Sequence, residues 1–176
     1  LMVDYIFLED AERRIFAQNE HQYLITQLQT YTFDVQVTKN SNPLSLTLNH
    51  PVKEIIWIGQ DPENYKPSSE PNNPRPDYFN YGINSPNENP FISAKFQFEG
   101  NDRMRTREIR FYDLVNIFKY HTNFNHKFIN VYSFSLQPEE DQPAGSCNFS
   151  RIDNKVLLLK IKDTLPLVRV TLFAVN

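Results

Sequence analysis

The sequence predicts an all-β fold, a jelly-roll β-sandwich of about eight antiparallel strands with one or two short helices and a long loop rich in proline and asparagine. Apolar and polar residues alternate with a period of two along most of the chain, which is typical of half-buried strands. Helical spacing occurs in few places, and strands and helices do not alternate as a parallel sheet would require. An immunoglobulin-like sandwich is the alternative, and it is weaker because the single cysteine cannot form that fold's core disulfide.

The clearest strands place apolar side chains on one face and polar side chains on the other. Alternation of this kind predicts strands at residues 31–37, 44–48, 92–98, 132–136 and 168–174. Three nearly continuous apolar runs, at residues 3–8, 54–58 and 156–161, predict strands that are buried on both faces or in pairs. Residues 149–152 are a doubtful short strand. The total is eight or nine strands.

Two short helices are predicted beside this sheet structure. Asp10 is expected to cap a helix that runs to Phe16, with Glu12 in the first turn, where the helix dipole favours an acid. The second helix has one apolar stripe, formed by Phe111, Leu114, Val115 and Phe118. Residues 21–30 fit a helix or a strand equally well.

The segment 61–90 is expected to be a long loop. It contains seven of the twelve prolines and seven asparagines, with scarcely any apolar run. Loops of this length in compact domains tend to be functional or disordered. Its tyrosines and Phe79 favour ordered packing, since disordered segments are poor in aromatic residues.

Length and charge limit the protein class. The 176 residues, 40% of them hydrophobic, suffice for one domain with a proper core, so residues 1–176 are interpreted as a single domain. A net charge of −3 neither attracts nucleic acid nor marks a basic membrane-surface protein. No apolar run has the length of a membrane-spanning helix. Because the chain opens on a strand-like run without an initiator methionine, we expect it to be a piece of a longer protein.

The side chains that could carry catalysis or bind a metal are sparse. The histidines, His21, His50, His121 and His126, lack the H-x-H pair of a metal-binding cupin, so no metal and no cofactor is expected. Cys147 has no base near it in sequence and is interpreted as an inert thiol. These absences predict that the protein is not an enzyme.

Charged and modifiable motifs also have structural explanations. The acidic triplet Glu139, Glu140 and Asp141 lies between prolines and is expected to be a solvated turn. The only basic cluster is interleaved with Asp102, Glu108 and Asp113, which favours local pairing over an anion site; it consists of Arg103, Arg105, Arg107 and Arg110. Asn148 begins the only N-x-S/T sequon and is a weak candidate for glycosylation.

A family resemblance appears at residues 129–154, which read INVYSFSLQPEEDQPAGSCNFSRIDN. This string resembles the major capsid proteins of the nucleocytoplasmic large DNA viruses, the iridovirus and phycodnavirus group. Four other segments agree with that family in order: VDYIFLEDAERRIFAQNEHQYLITQLQ at residues 3–29, LNHPVKEIIWIGQ at 48–60, FQFEGNDRM at 96–104 and YHTNFNHKFINVYSF at 120–134. The resemblance covers nearly the whole chain and is least diagnostic in the proline-rich loop.

The resemblance implies a shell protein of two consecutive jelly rolls, of which residues 1–176 are similar to the second, C-terminal one. It implies that three copies form a pseudo-hexagonal capsomer that tiles an icosahedral capsid, with neighbouring capsomers and minor capsid proteins as partners. Contact with nucleic acid is not expected, and contact with an inner membrane would be indirect. The expected location is the virion, after assembly in the host cytoplasm. In this picture Pro138, Pro143 and Gly145 shape a tight connection between strands.

A carbohydrate- or receptor-binding jelly roll, such as a spike or lectin-like domain, is the alternative. It is suggested by the aromatic and asparagine-rich loop from Tyr65 to Tyr81. Tyr78 and Tyr81 are the side chains that such a site would use.

Overall fold

The computed structural model of the chain describes residues 2–38, 41–64, 78–83, 88–123, 128–164 and 166–176. Two antiparallel sheets form the framework of this part of the chain. The strands are β1 (Leu28–Gln36), β2 (Asn42–Ser45), β3 (Pro51–Val52), β4 (Glu54–Gln60), β5 (Phe91–Phe98), β6 (Asn101–Asp102), β7 (Arg107–Glu108), β8 (Asn130–Ser133), β9 (Cys147–Asn148), β10 (Lys155–Ile161) and β11 (Leu167–Val175). The helices are α1 (Asp10–Gln18) and α2 (Asn116–Tyr120).

The strand order is that of a jelly roll. One sheet has the order β1-β11-β4-β8, and the other has the order β2-β10-β5-β6, with β7 also paired to β5. Strands that follow each other in sequence therefore fall mostly in opposite sheets, so the chain crosses repeatedly between the two layers. The predicted jelly-roll sandwich is confirmed.

The core lies between the sheets and is rich in rings. Trp57 of β4 packs edge-on against Phe96 of β5, with 5.8 Å between ring centroids, and against Tyr112 at 5.1 Å. Phe134 stacks edge-on with Phe149 at 5.5 Å. The contact between Trp57 and Phe96 joins the two sheets, and β4 is buried on both faces along most of its length, as predicted for residues 54–58. Tyr132 faces the same core, since it pairs with Ile55 beside Trp57.

The predicted strand at residues 3–8 is wrong. Residues 2–9 form no strand, and Tyr5, Ile6 and Phe7 are 80–94% exposed. A β-strand needs a neighbour to accept and donate its backbone hydrogen bonds, and the described part of the chain supplies none here. Residues 21–27 are also irregular, and the strand begins only at Leu28.

Both helix predictions need correction. The N-cap of α1 is Glu9, without a side-chain capping bond, so Asp10 lies in the first turn rather than at the cap. The second segment is a π-helix, Phe111–Val115, that continues directly into α2. It buries Tyr112, Asp113 and Asn116 and leaves Phe118 82% exposed. The apolar stripe predicted that the face with Phe118 is buried, whereas the buried face carries Tyr112, Asp113 and Asn116. Polar side chains can be buried when they have hydrogen-bond partners in the interior.

Three other predicted strands are shorter than expected or absent. The alternation at residues 44–48 continues past β2, which ends at Ser45, although Leu46 and Leu48 are buried. The alternation at residues 132–136 continues past β8, which ends at Ser133, and Leu136 is 75% exposed. The doubtful strand at residues 149–152 is a 3₁₀ turn, Phe149–Arg151, that follows β9. Asn148 accepts a hydrogen bond from the Ser150 N–H and so caps this turn.

Candidate assembly surfaces

The histidines are dispersed over the molecule. His21 stacks on Phe16 at 5.1 Å, outside the sandwich, and His50 is an exposed residue with a positive φ of 66°. His126 lies outside the described residues. Of the three histidines that the structure describes, only His121 is largely buried, with 14% of its side chain exposed. Among the residues that the structure describes, no three His, Cys, Asp or Glu side chains converge on a point where a metal ion could bind.

His121 lies between two carboxylates. Its Nε2 atom is 3.0 Å from Oε2 of Glu54, and its Nδ1 atom is 3.1 Å from Oε1 of Glu139. The other Glu139 oxygen accepts a hydrogen bond from the Thr122 N–H at 3.0 Å. The Glu54 hydrogen bond raises the pKa of His121, against the opposing effect of burial, and Glu139 raises that pKa further. We call Glu54, His121 and Glu139 the histidine clamp.

The histidine clamp joins three separate elements. Glu54 begins β4, His121 is the C-cap residue directly after α2, and Glu139 belongs to the connection after β8. The sequence analysis did not identify Glu54. The available signal was an acidic residue at the head of an otherwise apolar strand, where a carboxylate requires a partner in order to be buried.

The acidic turn at residues 139–141 is exposed at all three positions, as expected of a solvated turn. Glu139 differs from its two neighbours because its carboxylate also belongs to the clamp. The Lys53 amine also donates to the Glu140 carbonyl at 3.4 Å. The connection closes through a hydrogen bond from the Leu136 N–H to the Ala144 carbonyl, and Gly145 has a φ of 115°, as the tight connection required.

A buried polar cluster fastens the helical segment to the sheet edge. The Asn89 amide donates to Asp113 at 3.3 Å and to Asn130 at 3.0 Å, and Asn130 donates to the Trp57 carbonyl at 3.2 Å. Asn116 donates to the Val131 carbonyl at 3.0 Å. The sequence analysis missed this cluster, because asparagines are ordinary loop residues and nothing local shows that these face inward.

The interpretation of the basic cluster as locally paired is wrong for most of its members. Asp102 binds Lys95 and Gln97 rather than an arginine. Among the described residues, the one carboxylate close to these arginines is that of Asp113, which lies 4.0 Å from Arg110, whose side chain is 69% exposed. Arg107 lies over the Phe111 ring, 5.1 Å from its centroid.

Cys147 is half-buried, and burial raises the pKa of its thiol. A raised thiol pKa lowers the thiolate fraction at neutral pH, which is the opposite of what a nucleophile needs. Asn148 is exposed, and the Ser150 hydroxyl of its sequon accepts a hydrogen bond from the His50 N–H. Glycosylation at Asn148 stays a prediction.

The aromatic loop is only partly described. Tyr65 lies outside the described residues, Tyr78 is 55% exposed, and Tyr81 is partly buried. The Tyr78 carbonyl accepts a hydrogen bond from Gln60 at 2.8 Å, which holds this end of the loop against β4. Carbohydrate binding there also stays a prediction.

The longest exposed apolar surface belongs to the chain before the sandwich, residues 2–27, which we call the N-terminal arm. None of its residues is buried. Its large exposed apolar side chains are Met2, Val3, Tyr5, Ile6, Phe7, Leu8, Ile15, Phe16, Tyr23, Leu24 and Ile25. Exposed apolar side chains in this number are typical of a segment that packs against another surface. None of the described helices is long and apolar enough to cross a membrane.

Comparison with known protein families identifies the class of protein to which the chain belongs. The profile of the family described as "Large eukaryotic DNA virus major capsid protein" matches residues 12–174. The chain belongs to this family. The resemblance seen in the sequence motifs, including the string at residues 129–154, is therefore confirmed.

Individual capsid proteins match along the whole chain. The major capsid protein of Phaeocystis pouchetii virus is 34% identical in an alignment that covers 100% of this chain and 49% of the relative. The major capsid protein of Pyramimonas orientalis virus is 37% identical in an alignment that covers 100% of this chain and 44% of that relative. The chain thus spans about half the length of these curated relatives.

Solved capsid structures share the fold. The chain superposes on a chain of the PBCV-1 virus capsid with a TM-score of 0.76 and 28% identity, over 98% of this chain and 52% of that one. The Faustovirus major capsid protein matches with a TM-score of 0.73 at 13% identity, which shows a shared fold.

Proposed function

We propose that this chain is the second jelly roll of a double jelly-roll capsid protein, a structural subunit of an icosahedral virus shell. The observation that carries the proposal is the family match over residues 12–174. The chain forms a two-sheet sandwich and spans about half the length of its relatives. The remaining half of such a protein has room for another domain of similar size.

The N-terminal arm supports this arrangement. Its residues 2–8 have the composition of a buried strand but are exposed. The arm joins the sandwich where Gln27 and Asn176 exchange two backbone hydrogen bonds, of 2.7 and 3.0 Å, immediately before β1. A first jelly roll placed before this chain would cover the arm's apolar side chains and supply backbone partners for residues 2–8.

The proposed assembly is a trimer with a pseudo-hexagonal outline, which then contacts neighbouring capsomers and minor capsid proteins. The sandwich suits this role because its ring-filled core is rigid and its connections lie on the surface. The net charge of −3 favours no direct contact with the viral nucleic acid. Contact with an inner membrane would be indirect, and assembly would occur in the host cytoplasm before the protein resides in the virion.

Light scattering after size-exclusion chromatography tests the proposal. The full-length protein that contains this chain is expected to elute as a trimer, because cyclic closure satisfies every interface. A strictly monomeric full-length protein across a wide concentration range would contradict the proposed function.

A further inference from the structure

The helical segment, residues 111–120, closes one edge of the sandwich. Tyr112 donates a hydrogen bond to the Ala94 carbonyl of β5, in one sheet, at 3.0 Å. Asn116 donates to the Val131 carbonyl of β8, in the other sheet, at 3.0 Å. β8 lies at one end of the strand order β1-β11-β4-β8. Because neighbouring strands are about 4.8 Å apart, the helical segment lies three such spacings from β1, at the opposite edge of the sandwich.

The outer side of this segment carries a row of apolar side chains. Val115 is 52% exposed and Phe118 is 82% exposed. Phe111 and Leu114 are partly exposed. The helical spacing of these four residues predicted a buried stripe, but the described part of the chain leaves Val115 and Phe118 uncovered. An exposed apolar row of this kind is typical of a surface that packs against a partner.

Two exposed arginines lie beside the apolar row. Arg105 and Arg110 line a cleft of about 510 Å³ together with three of the four apolar residues. Arg105 forms no ion pair with the described residues, and Arg110, with 69% of its side chain exposed, only approaches Asp113 at 4.0 Å. Among the described residues, Glu108 is the single acid in the cleft lining. We call the two arginines and the apolar row the helical face, which consists of Arg105, Arg110, Phe111, Leu114, Val115 and Phe118.

The helical face fits a partner surface that is apolar and carries carboxylates. Burial of the apolar row would supply the free energy of association. Arginine pairs with a carboxylate through two parallel hydrogen bonds, which sets the orientation of a partner. The chain as a whole has a net charge of −3, so this basic surface departs from the charge of the rest of the protein.

The proposed capsomer determines which domain lies at this edge. Three copies with two jelly rolls each form a six-membered ring, and threefold symmetry requires first and second jelly rolls to alternate around it. Every second jelly roll therefore touches two first jelly rolls, its own and that of the next copy. The N-terminal arm enters beside β1, where Gln27 and Asn176 exchange backbone hydrogen bonds, so we expect the first jelly roll of the same copy at that edge. The opposite edge, with the helical face, is left for the next copy.

We propose that the helical face binds the first jelly roll of the neighbouring copy, on a surface that is apolar and acidic. This inference rests on the proposed function and deepens it, because it names the surface through which one copy of the capsid protein contacts the next. The two contacts of each second jelly roll are then divided between its edges. The β1 edge faces the first jelly roll of the same copy, and the helical face meets that of another copy.

Photocross-linking of the full-length protein tests the contact. The substitution Phe118→p-benzoylphenylalanine places a photoreactive group on the helical face of unlabelled copies, which are assembled with an excess of ¹⁵N-labelled copies that lack the group. We expect the unlabelled peptide with residue 118 to be joined to a ¹⁵N-labelled peptide of the first jelly roll. The matched control carries the same group at Leu28, which is 61% exposed at the start of β1. It should link to the first jelly roll of its own copy, so that both peptides are unlabelled.

Charge substitutions in the full-length protein provide a second measurement. Arg105→Glu together with Arg110→Glu should raise the concentration at which half of the protein is trimeric by about ten-fold or more, since like charges would then face each other. Arg105→Lys together with Arg110→Lys is the control and should retain most of the trimer, because the charge is kept. Unchanged near-ultraviolet circular dichroism verifies that each variant is folded.

The outcomes separate the contact from the proposed function. Links from residue 118 that stay within one copy, that reach another second jelly roll or that are missing from a trimer would overturn the contact and leave the capsid function intact. A trimer that the two glutamates do not weaken would do the same. A full-length protein that remains monomeric would overturn both.

Discussion

His121 Nε2 lies 3.0 Å from Glu54 Oε2, while the opposite ring nitrogen faces Glu139 at 3.1 Å. A neutral imidazole has one N–H donor and could satisfy only one of these carboxylates. The doubly protonated ring donates to Glu139 and places its positive charge beside the buried Glu54 carboxylate. Both carboxylates therefore favour the imidazolium form, and this cation holds the connection after β8 to β4 and α2.

The clamp makes stability depend on pH. Hydrogen bonding to Glu54 raises the pKa of His121 above its ordinary value. A raised folded-state pKa gives stability that is fully present below the ordinary value of about 6.5 and is lost as pH rises through the folded pKa. Urea unfolding between pH 6 and 9 should show this loss, and an NMR titration should place the His121 pKa above 6.5.

The substitution His121→Gln removes the cation from the clamp. We expect it to lower the free energy of unfolding at pH 6 by about 1–3 kcal/mol, since it leaves buried Glu54 without its charged partner. The difference from the unsubstituted protein should shrink at alkaline pH. His21→Gln, in the exposed arm, is the matched control. A His121 pKa at or below 6.5 would show that the clamp does not select the cation.

The ring contacts predict which aromatic residues matter for stability. Trp57 is fully buried, so Trp57→Ala should cost about 3–5 kcal/mol. Phe134→Ala should cost about 2–4 kcal/mol, because its ring packs on Phe96, Phe98, Tyr132 and Phe149. Phe118→Ala is the control and should stay within about 0.5 kcal/mol, since that ring is 82% exposed. Chemical denaturation measures all three, and equal losses would contradict the assigned faces.

The sequence predicted the sandwich well because its strands have a buried and an exposed face. The alternation at residues 168–174 matches β11, in which Val168, Val170, Leu172 and Ala174 are fully buried. The pattern failed at residues 3–8, which have no strand partner among the described residues, and where polar side chains are buried, at Tyr112 and Asn116. The clamp was missed because its members are more than ten residues apart, and spacing does not reveal contacts across the fold.

Substitution of Lys155 on β10 tests how much its buried hydrogen bond contributes to stability. Its side chain is buried, and the amine donates to the Leu48 carbonyl at 2.7 Å. Lys155→Met should cost about 1–3 kcal/mol of unfolding free energy, because it leaves that carbonyl unpaired. Lys160→Met on the same strand is the control, since Lys160 is exposed and should be nearly neutral. Equal thermal shifts for both variants would show that the amine adds nothing.

Substitution of Gly59 tests how closely the two sheets pack at this position. A Cβ atom at this position would lie 2.7 Å from Cζ of Phe91 and 2.8 Å from Cγ of Pro90. Gly59→Ala should therefore destabilise the protein by about 1–3 kcal/mol, the usual cost of overfilling a packed core. Differential scanning calorimetry measures the effect. An unchanged melting temperature would mean that Phe91 moves aside freely.

The N-terminal arm should change its protection with the length of the protein. In the 176-residue chain, amides of residues 2–8 lack a strand partner and should exchange hydrogen rapidly. In the full-length protein, a first jelly roll should slow that exchange by about 100-fold or more. Amides of β11 are the internal control and should be protected in both. Equal exchange of the arm in both proteins would contradict its coverage by a preceding domain.

An electron cryomicroscopy map of particles assembled from the full-length protein tests the central claim most directly. The account predicts three-fold capsomers with a pseudo-hexagonal outline, and the sandwich of this chain should fit repeatedly into the continuous shell. Density for this sandwich only in isolated spikes, or only outside the shell, would contradict its role as a shell subunit.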